Sequence, residues 1–169
     1  KNGWFDSIVG LKYFNVYGPN EEHKGDMRSV VSKAYREISE TKKMSLFKSY
    51  HPDYLDGEQK RDFLYVKDAV QMTIWLTQNC KSSGLFNLGN GTARTWLDLG
   101  NAIFRGLDIE PDINFIEMPQ MLRDKYQYFT QATIEKLKSH GYNYELFSLE
   151  EAVSDYVRNY LVPDLKLGA

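Results

Sequence analysis

Several features that mark other protein classes are missing from this sequence. Cys80 is the only cysteine, so no disulfide forms within the chain. No apolar run approaches the roughly 18 residues that a membrane-spanning helix requires, and Lys1 is not followed by a signal segment. The 21 basic and 23 acidic residues form no long block of one sign. We therefore expect a soluble, cytoplasmic protein without a charged surface for nucleic acid or for an anionic membrane.

The sequence does contain enough apolar material for a packed core. Hydrophobic residues make up 42% and aromatic residues 14% of the 169 residues. This composition predicts one ordered domain rather than a disordered chain. The first residue is Lys1 and not methionine, and from this we expect the chain to be part of a longer protein.

Strand and helix patterns alternate along most of the chain, which predicts an α/β fold. The run from Ser7 to Tyr17 carries apolar residues on both faces, as a strand buried on both sides of a parallel sheet does. Asp26 is predicted to cap a helix that continues to Ile38, and Asp68 to cap a later one. Further strands are predicted at 44–48, 61–66, 84–89 and 113–118, and further helices at 68–80, 95–104, 131–137 and 148–160. Two of these helices begin with a capping-box pattern, Thr95 with Asp98 and Ser148 with Glu151.

Familiar motifs of metal and phosphate chemistry are missing. His23, His51 and His140 lie far apart, with no cysteine or glutamate at metal-ligand spacing, so no metal site is predicted. The sequence has no G-x-S-x-G, no Walker-type lysine and no G-x-G-x-x-G after a strand. No glycine-rich loop for a pyrophosphate is therefore predicted in this chain.

Four residues remain as candidates for a ligand site, each with an ordinary alternative. Asn15 lies in an apolar strand, where it either contacts a ligand or bonds a neighbouring loop as a buried amide. Lys24 precedes a helix and is either a functional cation or a solvated loop lysine. Arg61 suits a phosphate, with an ion pair that fixes the end of its strand as the alternative. Tyr126 either contacts a ligand or packs in the core.

Taken together, several short motifs resemble a known family. The runs Leu11-Lys-Tyr-Phe-Asn-Val-Tyr-Gly-Pro19, Arg61-Asp-Phe-Leu-Tyr-Val-Lys-Asp68 and Phe86-Asn-Leu-Gly89 are similar to the second half of extended short-chain dehydrogenase/reductases that act on nucleotide sugars. Within that family, Glu22-His-Lys-Gly25 and Tyr126-Gln-Tyr-Phe-Thr-Gln-Ala132 most resemble the ADP-heptose 6-epimerases, as does Lys60-Arg-Asp-Phe63. The resemblance runs from about Ile8 to Tyr160.

The resemblance implies a fold and a domain organisation. Residues 1–169 would form the C-terminal part of an extended Rossmann-type enzyme, with the last parallel strands of the sheet and a small α/β substrate-binding domain. The N-terminal dinucleotide-binding half would lie outside this chain. The resemblance also implies a homo-oligomer, and the many aromatic residues favour self-association.

The reaction implied by the resemblance is epimerisation at C6 of the heptose of an ADP-sugar, in the synthesis of the lipopolysaccharide core precursor. It proceeds by transient oxidation and re-reduction with bound NADP, with NAD as the alternative cofactor. Two bases are needed because the hydroxyl of each epimer faces a different wall of the pocket. The resemblance assigns one to a Tyr-x-x-x-Lys motif that this chain lacks and the other to Lys24, so the chain alone is expected to be inactive.

The remaining site residues are also carried over from the resemblance. Asp26 and Lys33 match substrate-contacting positions at which the family carries serine and histidine, so they match by place and not by type. The loop 52–59 is longer than in the family. Val16 and Lys24 are implied to contact the cofactor, and the substrate contacts are implied to be Asn15, Asp26, Lys33, Phe47, Lys48, Ser49, Tyr50, Arg61 and Tyr126.

Two other functions fit the same sequence. One is a 4-epimerase or 4,6-dehydratase of another nucleotide sugar, because such enzymes share the Tyr-Gly-Pro and Arg-Asp motifs. The other is a non-catalytic module that binds a sugar nucleotide or another subunit. Turnover of ADP-heptose compared with UDP-galactose separates the two enzymes.

Overall fold

The computed structural model describes residues 7–168 and confirms the α/β class, with seven strands and six helices in that part of the chain. The strands are β1 (Val9–Tyr13), β2 (Asn15–Tyr17), β3 (Met44–Phe47), β4 (Lys60–Tyr65), β5 (Gly84–Leu88), β6 (Ala93–Thr95) and β7 (Ile113–Ile116). The helices are α1 (Val30–Thr41), α2 (Val66–Asn79), α3 (Trp96–Leu107), α4 (Gln120–Arg123), α5 (Glu135–Ser139) and α6 (Leu149–Tyr156). After α6, the chain continues as a wider π-type turn over Val157–Leu161.

Most strand pairing is parallel and joins distant parts of the chain. Strand β1 pairs with β5, β2 with β4, and β3 with β7, all in parallel. Strand β6 adds to β4 in the antiparallel direction. The helices that connect these strands cover two apolar cores. Parallel pairing through helical connections is the architecture that the alternating sequence pattern predicted.

The first predicted strand is in fact two strands with different partners. The amide of Phe14 still donates to the carbonyl of Leu88 beside β5, at 2.9 Å. The amide of Val16 then donates to the carbonyl of Phe14, at 2.8 Å, and the chain moves over to β4. The prediction of one strand buried on both sides was therefore wrong. Within residues 7–168, β1 pairs on one edge only, and the side chains of Lys12 and Tyr13 are exposed.

Two predicted helix caps were also wrong. Helix α1 begins after Ser29, whose hydroxyl accepts from the amide of Ser32, and Asp26 lies before it in a short 3-10 segment. Helix α2 begins at Val66, so Asp68 lies inside its first turn and accepts from the amide of Phe147. For α1, Ser29 lies nearer the helix and acts as its cap in place of Asp26. For α2, the Asp68 carboxylate makes a tertiary contact and does not cap the helix.

The segment 131–137 was predicted as a helix, but only Glu135–Ser139 is helical. The amide of Ala132 donates instead to the buried carboxylate of Asp62. Strand β6, which the sequence did not predict, follows the turn at Gly91 and pairs with β4. The capping boxes predicted for α3 (Thr95 and Asp98) and for α6 (Ser148 and Glu151) are confirmed.

Two apolar cores lie on the two sides of the β2–β4 ladder. The larger is formed by α1, α3 and α6 with β3, and includes the fully buried Ile38, Ile103 and Tyr156. The smaller is formed by α2 against β5, and includes Met72 and Cys80. Alternate residues of β4 face opposite cores, with Phe63 and Tyr65 in one and Leu64 in the other. This two-sided burial fixes β4, the strand that carries Arg61.

Asp68 gives the stability of the fold a pH dependence. The residue is 2% exposed, and burial raises its pKa to about 6. An aspartate in an unfolded chain titrates near ~3.9. Because the folded pKa is higher, the unfolded state loses the proton first. The folded protein therefore loses stability as the pH rises from about 4 to 6, and this loss persists at higher pH.

Asp68→Asn should remove this loss while keeping an acceptor for the amide of Phe147. We expect the free energy of unfolding of the full-length variant to exceed that of the unchanged protein by on the order of 2 kcal/mol at pH 8, with little difference at pH 4. Urea denaturation at both pH values measures this. Asp53→Asn, at a side chain that is 80% exposed, is the control. A less stable Asp68→Asn variant at pH 8 would contradict the prediction.

Candidate functional site

Two clefts that share a wall form the candidate site. Val30 at the start of α1 and Trp96 at the start of α3 line both of them. The first, which we call the strand cleft, has a volume of about 210 Å³ and is lined by Asn15, Val16, Tyr17, Arg28, Ser29, Val30, Val31, Phe63, Trp96 and Leu99. The second, the aromatic cleft, has a volume of about 450 Å³ and is lined by Val30, Glu37, Ser45, Leu46, Phe47, Trp96, Ile116 and Tyr126.

The strand cleft contains two of the predicted site residues, Asn15 and Val16. The sequence predicted that the Asn15 amide is buried, but this side chain is exposed within the described chain. Its Nδ2 donates to the carbonyl of Asp62 at 3.1 Å and to the hydroxyl of Thr130 at 3.5 Å. Both bonds use the amide nitrogen, which leaves the Asn15 Oδ1 oxygen without a donor among residues 7–168.

Arg61 lies beside the aromatic cleft and is 8% exposed. Its guanidinium lies 5.2 Å from the ring centre of Tyr126 and 5.8 Å from that of Trp96, both of which line that cleft. Its Nη1 donates to the carbonyl of Lys60, at 2.8 Å. No carboxylate forms an ion pair with it in the part of the chain that the structure describes.

The surroundings of Arg61 favour an anionic ligand. Burial lowers the pKa of the Arg61 guanidinium, which nevertheless keeps its charge because arginine is not deprotonated in proteins. The alternative of an ion pair that fixes the strand end is wrong, because none of the described carboxylates pairs with Arg61, and the neighbouring Asp62 accepts from the amides of Asn90, Gly91 and Ala132. A buried guanidinium with most of its five donors free suits the oxygens of a phosphate.

Trp96 and Tyr126 set the shape of the site. The indole Nε1 of Trp96 donates to the hydroxyl of Tyr126, at 3.0 Å, and burial raises the pKa of that hydroxyl. Trp96 also packs edge-on against Phe63, with ring centres 5.1 Å apart. Trp96 was not among the residues predicted for the site. The available signal was its position directly after the Thr95 cap, which fixes a large ring at the start of α3.

Lys48, Ser49 and Tyr50 form a separate cluster in which Lys48 and Tyr50 bond Glu117, and only Phe47 of the predicted segment 47–50 lines a cleft. The Nζ of Lys48 lies 2.8 Å from Glu117 Oε1, and the hydroxyl of Tyr50 bonds Oε2 of the same residue. The charge of Lys48 is therefore balanced by Glu117. The amide of Ser49 donates to Asp56 Oδ1, at 2.6 Å, which ties this segment to the long loop.

Lys24 lies in the 3-10 segment between β2 and α1, where every side chain from 22 to 27 is exposed. The backbone there is held at its two ends by the buried Glu21. The carbonyl of Glu21 accepts from the amide of Lys24, at 3.0 Å, and its carboxylate accepts from the amide of Ser29, at 2.8 Å. Gly25 has φ +52 and ψ −123, a backbone conformation that side chains disfavour. The turn therefore has a defined shape that presents Lys24 outward.

Asp26 and Lys33 lie close together but line neither cleft. The Nζ of Lys33 donates to the backbone carbonyl of Asp26, at 2.5 Å. This bond joins the Lys24 turn to the exposed face of α1. The predicted site residues therefore fall into three groups: the clefts with Arg61, the Lys48 to Tyr50 cluster, and the Lys24 turn with Asp26 and Lys33.

The two residues implied to contact a nicotinamide cofactor, Val16 and Lys24, lie in β2 and just after it. Val16 supplies an apolar wall of the strand cleft, and Lys24 supplies an exposed cation after the carboxyl end of β2. In doubly wound folds, ligands bind outside the carboxyl ends of the strands.

For metals, no group of three His, Cys, Asp or Glu side chains comes together among residues 7–168. No helix in that range is long and apolar enough to cross a membrane.

Several curated relatives are similar to this chain over nearly its whole length. It is 55% identical over 161 residues to the ADP-L-glycero-D-manno-heptose-6-epimerase of Nitratidesulfovibrio vulgaris (strain DP4), an alignment that covers 95% of this chain and 50% of that protein. It is 48% identical to the enzyme of the same name from Fusobacterium nucleatum, over 92% of this chain and 48% of that protein. The chain spans about half the length of the curated relatives it matches.

Solved structures show the same fold. The crystal structure of the Helicobacter pylori ADP-L-glycero-D-manno-heptose-6-epimerase matches with a TM-score of 0.74 at 30% identity, over 90% of this chain and 44% of that one. A UDP-N-acetylglucosamine 4-epimerase from Methanobrevibacter ruminantium matches with a TM-score of 0.73 at 20% identity, over 94% of this chain and 47% of that one. In sequence, residues 5–89 match the model of one family. The chain belongs to the NAD dependent epimerase/dehydratase family.

Proposed function

We propose that this chain is the C-terminal, substrate-binding part of an enzyme that inverts C6 of the heptose in an ADP-sugar. The reaction would interconvert ADP-D-glycero-D-manno-heptose and ADP-L-glycero-D-manno-heptose, in the synthesis of the lipopolysaccharide core precursor. The relatives at 55% and 48% identity carry the name of this activity, which supports the choice. The proposal includes NADP as the cofactor, which rests on the resemblance. It also includes a cytoplasmic location, expected from the composition, and a homo-oligomeric enzyme, expected from the resemblance and from the many aromatic residues.

The observation that carries the proposal is the buried, unpaired Arg61 at the aromatic cleft. A diphosphate would bind the free donors of this guanidinium, and the nucleoside would extend between the rings of Phe47 and Tyr126. The sugar would then reach the strand cleft, where the free oxygen of Asn15 can accept from a hydroxyl group. The shared wall at Trp96 joins the two parts, so one ligand can occupy both clefts.

At the sugar, the chain would contribute a base and a set of polar contacts. When bound, the nicotinamide cofactor supplies the hydride acceptor and donor for chemistry at C6. Lys24 would remove the proton from the C6 hydroxyl of one epimer and return it in the reverse direction, and it must be neutral to do so. Asp26 would face the substrate from the Lys24 turn and Lys33 from the adjoining face of α1. Lys48, Ser49 and Tyr50 would approach the nucleotide from the segment between β3 and the long loop.

Turnover by the full-length protein tests this proposal. We expect it to interconvert the two ADP-heptose epimers and to leave UDP-galactose unchanged. Chromatographic separation of the epimers measures the conversion. Turnover of UDP-galactose but not of ADP-heptose would point to a 4-epimerase instead. Binding of ADP-heptose without turnover of either sugar nucleotide would point to a non-catalytic module.

A further inference from the structure

The aromatic cleft has one charged side chain in its lining, Glu37. The residue lies on α1 and is half-buried. Its Oε1 accepts from the hydroxyl of Ser45 on β3, at 2.7 Å. Its Oε2 accepts no hydrogen bond from residues 7–168. A carboxylate oxygen without a donor in an otherwise mostly apolar cleft favours a ligand that brings a hydrogen-bond donor.

The rest of the lining favours a flat ring. Phe47, Trp96 and Tyr126 provide aromatic surfaces, and Val30 and Ile116 provide aliphatic ones. Arg61, which contacts two of these rings, sets where a diphosphate would bind. A nucleoside diphosphate held there places its base among the rings. The cleft volume of about 450 Å³ leaves room for a purine.

We propose that Glu37 selects the base of the nucleotide by accepting a hydrogen bond from the exocyclic amine of adenine. This inference rests on the proposed function, since it assumes that a nucleoside diphosphate binds at Arg61. Adenine carries an amino group at C6, which donates to a carboxylate. Hypoxanthine carries a carbonyl oxygen at the same position, which meets the carboxylate with like partial charge. Glu37 therefore favours adenine through an attraction and rejects hypoxanthine through a repulsion.

The ordinary alternative is that Glu37 and Ser45 only join α1 to β3. That role needs the Glu37–Ser45 bond but makes no distinction between ligands. Ser45→Ala breaks the same bond and keeps the carboxylate in the cleft. Both variants lose the bond between α1 and β3. If Glu37 selects the base, Glu37→Ala lowers the preference for one ligand over the other and Ser45→Ala does not. If the two residues only join α1 to β3, the two variants have the same effect on binding.

Calorimetric titration of the full-length protein with ADP and with inosine diphosphate tests the proposal. The two ligands differ at C6 of the base, where one has an amine and the other a carbonyl group, and at the adjacent N1, which carries a hydrogen only in inosine diphosphate. We expect the unchanged protein to bind ADP about 10- to 100-fold more tightly than inosine diphosphate, the range for a hydrogen bond to a charged group. Glu37→Ala should abolish most of this preference. Glu37→Gln should also weaken it, because a carboxamide can turn its amine toward the carbonyl group.

The controls separate this inference from the proposed function. Ser45→Ala should keep most of the preference for ADP, and thermal unfolding of each variant shows that it is folded. Arg61→Gln should weaken both ligands by a similar factor and leave their ratio unchanged. Equal weakening of both ligands by Glu37→Ala, or an unchanged ratio, would overturn the role of Glu37. Unchanged binding of both ligands by Arg61→Gln would overturn the proposed nucleotide site itself.

Discussion

Replacing Lys24 with methionine in the full-length protein should lower kcat by roughly 10²- to 10⁴-fold in both directions, the usual range for the loss of a general base. Methionine keeps the length and the apolar stem of lysine but cannot accept a proton. In the proposed reaction, the hydroxyl on one side of the pocket then has no group to take its proton. Because epimerisation needs proton transfer on both sides, loss of one base affects conversion of either epimer. Measurement of initial rates from each pure epimer gives both values.

Two further variants show whether Lys24 acts as a base or only as a charge. Lys24→Arg keeps a positive charge but does not deprotonate, so we expect it to be nearly as inactive as Lys24→Met. Lys138→Met, at an exposed lysine on α5, is the matched control and should keep full activity. If Lys24→Met turned over both epimers at the unchanged rate, the assignment of Lys24 would be wrong. If Lys24→Arg alone stayed active, Lys24 would act through its charge.

Asp62→Ala should destabilise the full-length protein by about 2 to 4 kcal/mol, through loss of the acceptor for three backbone amides. The Asp62 side chain is fully buried, and its oxygens lie 2.6 Å from the amide of Asn90 and 2.9 Å from those of Gly91 and Ala132. Burial raises the pKa of this carboxyl, and the three amides oppose the rise. The alanine variant leaves these donors without a partner in a place that water reaches poorly.

The neighbourhood of Asp62 offers no replacement for the lost acceptor. A side chain at Gly89 would collide with Ala132 and with both Asp62 oxygens, so the chain packs closely around the carboxylate. Urea denaturation measures the loss, with Asp112→Ala as the control because its side chain is 50% exposed. A change in free energy for Asp62→Ala no larger than that for Asp112→Ala would show that water satisfies the amides.

The parts of the fold that depend on neighbouring residues were predictable from the sequence. The capping boxes of α3 and α6 need only residues three apart, and both were found. The break at Phe14 depends on β5 and β4, which lie more than 40 residues away, and the sequence gives no sign of it. Likewise, the helical pattern of 131–137 yields at its start to the bond between Ala132 and Asp62, a contact across 70 residues.

The candidate site shows the same division. Arg61, Phe47 and Tyr126 were predicted from the resemblance, and the structure brings them to one cleft. Their assignment to substrate stays a prediction. Glu37 was not predicted because nothing in the local pattern separates it from other helix residues. Trp96 was not predicted because its position after the Thr95 cap fixes the ring but does not show what the ring faces. Both residues line the aromatic cleft, which forms only when α1, β3 and α3 pack together.

The shared wall at Trp96 has a consequence for how the two ends of a ligand bind. A ring that lines two clefts cannot shift toward one without changing the space in the other. The hydrogen bond to Tyr126 and the contact with Arg61 hold the ring from the aromatic side. A nucleotide bound in the aromatic cleft would therefore fix the shape of the strand cleft, where the sugar would bind. Such energetic coupling is reciprocal, so a free sugar should bind more tightly once the nucleotide is in place, and the nucleotide more tightly with the sugar.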